Sequence, residues 1–126
     1  MLRLFLAALL AATTMCALDV KTYRELSRNS SEQADLDAHL EGFAAGLGYA
    51  NAMLSSSGRQ PIYCSPDKFT LNVKNLRDLM DAKIEDYLKG STEAKVGTLD
   101  AQALLLVALI DAFPCAANAP TTKGSK

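Results

Sequence analysis

The chain has 126 residues, of which 49% are apolar and 21% charged, with no Trp. That is the size and composition of one small globular domain, and it excludes collagen-like, coiled-coil and disordered chains. Thirteen Lys and Arg against fourteen Asp and Glu leave a formal charge of −1, so no overall basic field is available to hold a nucleic acid or an anionic membrane surface.

The N-terminus reads as a secretory signal peptide over 1–17. Arg3 supplies a charged start, residues 4–12 are an unbroken apolar run, and mostly small residues follow up to Ala17, near which cleavage is expected. The run falls short of the roughly 20 residues a membrane span needs, so no membrane anchor is expected after cleavage. The mature domain is expected over 18–115 and a flexible tail, rich in small and polar residues, over 116–126. Three cysteines would leave one thiol unpaired in an exported protein, but Cys16 departs with the leader. Lipidation of Cys16 is the rival reading; Met15 speaks against it, because lipoprotein leaders place Gly, Ala or Ser ahead of that cysteine. Cys64 and Cys115 remain, and two thiols of a small domain in an oxidising compartment are expected to be joined.

Val20, Tyr23 and Leu26 recur at helical spacing, which predicts a short first helix ending at the polar cluster Arg28, Asn29, Ser30, Ser31. Ser30 and Gln33 have capping-box spacing for the start of a second helix. Its apolar positions Leu36, Leu40, Phe43, Leu47, Ala50 and Leu54 step by fours and threes along one stripe. Gly42 and Gly46 each cost that helix about 1 kcal/mol relative to Ala, so close approach of a neighbouring helix is expected there. Pro61 and Pro66 bracket an extended stretch through Tyr63 and Cys64.

Val73, Leu76, Met80, Ile84 and Tyr87 mark a third helix, with Arg77, Asp78, Asp81, Glu85 and Asp86 on its other face and Gly90 as a left-handed C-cap. Residues 91–97 read as a loop. Thr98 is the expected N-cap of a fourth helix over 99–113, ended by Pro114. That helix is apolar nearly all round and should sit at the centre; a strand over 104–110 is the alternative, against which its length and Ala content speak. The expected fold is all-α, a small four-helix bundle with one disulfide after a signal peptide. The third and fourth helices would each span roughly 23–26 Å and run antiparallel. Cys64 and Cys115 then fall at the same end, and their bond staples the hairpin.

Candidate chemistry is sparse. His39 is the only histidine and reads as a partly exposed side chain on a helix flank. No His and Cys cluster has metal-ligand spacing, so no metal and no cofactor is expected. Asp35 with His39, Asp78 with Asp81, and Asp81 with Glu85 share helix faces and read as solvated surface. Asn29, Ser30 and Ser31 spell a glycosylation sequon of the kind chance supplies, and capping accounts for Ser30 better. Catalysis is not expected from these parts.

The segment Tyr63, Cys64, Ser65, Pro66, then Phe69, Thr70, Leu71, then Tyr87, Leu88, then Ala112, Phe113, Pro114, Cys115 resembles the Rap/Tai family of type VI secretion immunity proteins, small exported helical proteins of Gram-negative bacteria. Gly42, Phe43, Ala44, Ala45, Gly46 resembles that family's Gly-aromatic-x-x-Gly element. Family members commonly carry a second cysteine pair, one half of it at the place occupied here by Leu40, so this chain departs from the pattern. The resemblance implies a periplasmic protein, not an enzyme, that neutralises a secreted peptidoglycan amidase effector by blocking its active-site cleft. Pairing of subunits is common in that family. The surface nominated for the partner is the loop 91–97 with Glu93 and Lys95, flanked by the acidic face of the third helix, Asp78, Asp81 and Glu85. The rival function is a periplasmic acid-stress chaperone, also small, helical and crosslinked once.

Overall fold

A computed structural model of the protein describes residues 17–66 and 71–116. The signal-peptide reading through Cys16, the tail beyond Ala116 and the Phe69, Thr70 step of the family pattern lie outside the described residues. The described residues form five helices and no strand: α1 (Val20–Arg28), α2 (Gln33–Ser56), α3 (Val73–Lys89), α4 (Glu93–Gly97) and α5 (Ala101–Ala112). The all-α expectation holds, and four helices are corrected to five. None of these helices is long and apolar enough to cross a membrane.

Strong periodicity and structure agree. α2 buries Leu36 and Leu40 and lays Phe43 and Leu47 against the same core, while α3 buries Leu76, Met80 and Ile84. α1 sinks Val20 and Tyr23 completely and packs on α2 and α4. The most extensive helix pair is α3 with α5.

The extra helix arises from competing cap residues. Thr92 accepts from the Lys95 backbone N–H and starts α4, whose Val96 is drawn into the core at 2% exposure. Thr98, expected to open the last helix, instead closes α4. Asp100 opens α5, its carboxylate accepting from the Ala103 N–H at 2.8 Å. Residues 93–97 are therefore helix, not loop. Two other cap expectations are corrected. Gly90 has φ −112°, which any residue adopts, so its position does not demand glycine. Ser30 does not cap α2: Asn29 Oδ1 accepts from the N–H and hydroxyl of Ser31, and Gln33 donates to the Ser27 carbonyl at 2.8 Å. The Asx turn of Asn29 supplies a closer partner than a box across three residues would.

α5 is tied at both ends by non-helical backbone. At its start, Val20 N–H donates to Leu99 O at 2.9 Å and Ala101 N–H donates to Leu18 O at 2.8 Å. At its end, Cys64 N–H donates to Phe113 O at 2.8 Å, and the Cys64–Cys115 disulfide joins the two segments with Cα atoms 5.0 Å apart. The expected staple is in place. The enclosed central helix is not fully so: Leu104, Leu105 and Leu109 are buried, whereas Ala103 and Val107 face solvent. Neighbours cover only one side of α5 in a bundle this small.

The expected close approach at Gly42 and Gly46 is also corrected. Among the described residues no atom outside the local helix backbone lies within 4 Å of where a Cβ would stand at either position. Gly42 stands well round the helix from the Leu36 stripe and Gly46 on its flank, and both are exposed.

Candidate interaction surface

Of the five residues nominated for a partner, the structure draws three around one cation. Arg24, on the outer side of α1, donates to Glu93 Oε1 at the first turn of α4, at 2.5 Å. Asp81 and Glu85 of α3 lie on the other side of α1 and share a cleft of about 320 Å³ with Tyr23, Arg24 and Arg28. A second cleft, about 370 Å³, runs between α1 and α4 past Lys21, Arg24 and Glu93. The Arg24 guanidinium is held more firmly protonated than usual, first by its bond to Glu93, then by the charges of Glu93, Glu85 and Asp81. The two acidic elements nominated from sequence are thus bridged by α1.

Asp78 and Lys95 do not join this group. Asp78 pairs with Lys74 one turn earlier on α3, at 2.6 Å, with both side chains largely exposed. Lys95 projects into solvent from α4. Because α4 is anchored by Val96 and by the Arg24 bond, Glu93 and Lys95 stand on a fixed turn and not on a free loop.

Tyr23 sits beneath this surface with no exposed area, and its hydroxyl donates to Asp81 Oδ1 at 2.9 Å. Burial, reinforced by the Asp81 charge and hydrogen bond, pushes the phenol well above the ordinary tyrosine range. Further cross-helix pairs fix the scaffold: Arg77 of α3 with Asp37 of α2, and Lys83 of α3 with Asp111 of α5. The ammonium of Lys83 is stabilised by its hydrogen bond to Asp111. His39 is partnered as well. Gln102 Nε2 lies 2.8 Å from its Nε2, and since an amide nitrogen only donates, the ring nitrogen accepts.

Sequence reasoning missed Asn51. Its side chain accepts from Ile62 N–H at 2.7 Å and donates to Tyr63 O at 3.0 Å, fastening the extended stretch before Cys64 onto α2. The available signal was a polar side chain on the core side of α2, between Leu47 and Leu54. Among the described residues no group of three or more His, Cys, Asp or Glu could hold a metal ion. No protein-family model, no curated protein and no solved structure is significantly similar to this chain.

Proposed function

We propose that this chain is an exported binding protein without catalytic activity of its own, an immunity protein that occludes the cleft of a secreted peptidoglycan amidase in the periplasm. The observation that carries the reading is the disulfide between Cys64 and Cys115. It joins the Tyr63, Cys64, Ser65, Pro66 segment to the Ala112, Phe113, Pro114, Cys115 segment, the two stretches on which the family resemblance rests most heavily. A crosslink of this kind belongs to an oxidising compartment and gives the stiffness an inhibitor needs to hold a fixed surface against an enzyme cleft. The surface around Arg24, with Glu93 on one side and Asp81 and Glu85 on the other, is the proposed contact.

Co-purification of the exported chain with the product of the adjacent gene, followed by a protection assay in cells receiving that product, tests this. Binding together with survival supports the reading. A neighbour that is not a cell-wall amidase, or an amidase that neither binds nor is inhibited, overturns it.

A second reading, an acid-stress chaperone, draws on one specific feature. The cross-helix pairs Tyr23–Asp81, Arg24–Glu93, Arg77–Asp37 and Lys83–Asp111 all end on carboxylates, while α3 and α5 are held together independently of them by the disulfide. Suppression of client aggregation near pH 3, without any amidase binding at neutral pH, favours that reading over the first.

A further inference from the structure

We infer that Cys64 is a site of reversible S-thiolation: an external thiolate opens the crosslink at the Cys64 sulfur, and Cys115 is the sulfur released. The two cysteines are unequally placed. Cys64 is exposed, whereas Cys115 keeps 4% of its surface. The difference follows from the extended stretch before α3. Neighbouring side chains of an extended chain point to opposite sides, and Tyr63 takes the inward one at 5% exposure, which turns Cys64 outward. Cys115 lies on the covered side, its Sγ 3.7 Å from the Pro61 carbonyl oxygen.

Disulfide exchange is a substitution at sulfur: the incoming thiolate bonds to one sulfur while the other leaves with the electron pair of the S–S bond. The nucleophile arrives in line with that bond, from the side away from the leaving sulfur. Attack on Cys64 comes from solvent, whereas attack on Cys115 would have to come through the packed side of the bundle. Expelling a buried sulfur slows the exchange, because the charge left on Cys115 is poorly solvated. It does not redirect the exchange, since the other route needs the charged nucleophile itself to enter the covered side. Once released, the Cys115 sulfur takes a proton from water, and the resulting thiol has the Pro61 carbonyl to donate to. Cys64 stays close by. Its N–H donates to Phe113 O at 2.8 Å, and Asn51 holds the backbone of Ile62 and Tyr63 on α2. Return is therefore built in. Cys115, deprotonated again, attacks Cys64 Sγ and expels the added thiol as its thiolate, and the bond re-forms with no oxidant consumed.

The assignment rests on the crosslink and not on the immunity reading, and the native chain tests it without any variant that must fold. The exported chain is treated briefly with reduced glutathione and quenched with acid, its freed thiol is marked with a maleimide, and the adduct is located by peptide mass after digestion. Glutathione on Cys64 with the maleimide on Cys115 should exceed the opposite product about tenfold or more. The same reaction in concentrated urea should bring the two products near parity, since unfolding uncovers both sulfurs. Adduct set aside before the maleimide step and returned to thiol-free neutral buffer should release glutathione and regain the native crosslink. No adduct at either sulfur, or equal products from the folded chain, overturns the inference. A preference that survives in urea overturns it too, because local sequence and not the fold is then responsible, and an adduct that never returns to the crosslink overturns its reversibility.

Discussion

The Tyr23 hydroxyl donates to Asp81 Oδ1 at 2.9 Å, joining α1 to α3 at a point where the tyrosine has no solvent exposure. This bond lies directly under the proposed contact surface. It ties the position of Arg24 to the body of the bundle, because both residues sit on the same short helix.

Tyr23→Phe is expected to lower stability by about 1 kcal/mol, the usual net worth of one buried hydrogen bond, read from the urea midpoint. The same tyrosine sets an alkaline limit. Its folded-state pKa is raised, so the native state keeps the proton when the unfolded chain, with a phenol near the reference value of about 10, releases it. Its contribution is therefore fully present below pH ~10 and declines as pH rises beyond that. Urea midpoints measured from pH 8 to 11 should fall more steeply for the native protein than for Tyr23→Phe. Equal slopes would mean the phenol is not buried.

Cys64→Ser and Cys115→Ser should each cost about 4 kcal/mol, the chain-entropy value for a loop of this length. The double variant should lose no more than either single one, because only one bond is broken. Thermal unfolding with and without reductant gives the comparison.

Asn51→Ala removes both bonds to the backbone at Ile62 and Tyr63, and about 2 kcal/mol is expected to go with them. Asn51→Asp keeps the acceptor for Ile62 N–H but sets a negative charge against Tyr63 O. It should therefore be no less damaging at neutral pH, as chemical denaturation of the two variants would show.

Gly46→Ala should stabilise the fold by about 1 kcal/mol, since a methyl there meets nothing among the described residues and Ala is the better helix former. Urea midpoints of the two proteins give the comparison.

The sequence made the long helices legible because their core stripes are strong. The steps from Leu36 to Leu47 and from Leu76 to Ile84 leave one face for the interior, and the structure uses those faces. The cysteine pairing was legible from the expected compartment and from helix length together. The split between α4 and α5 was not, since Thr92, Thr98 and Asp100 are all good cap residues and only the burial of Val96 decides among them. Gly42 and Gly46 were misplaced for a different reason. Their propensity cost suggested a neighbour, but their angular position, away from Leu36, turns them from the described core. The Arg24 cluster depends on how α1 lies across α3 and α4, a tertiary fact that spacing within one helix does not carry.

The double tethering of α5 has a practical consequence for anyone labelling this protein. Leu18 is fastened to one end of that helix and Cys115 lies at the other, so these two positions are held apart by roughly the 18 Å length of a 12-residue helix. A peptide spanning these two positions would need at least about six extended residues. Fluorophores placed at the two ends would report a fixed spacing that collapses or widens only when the body itself comes undone.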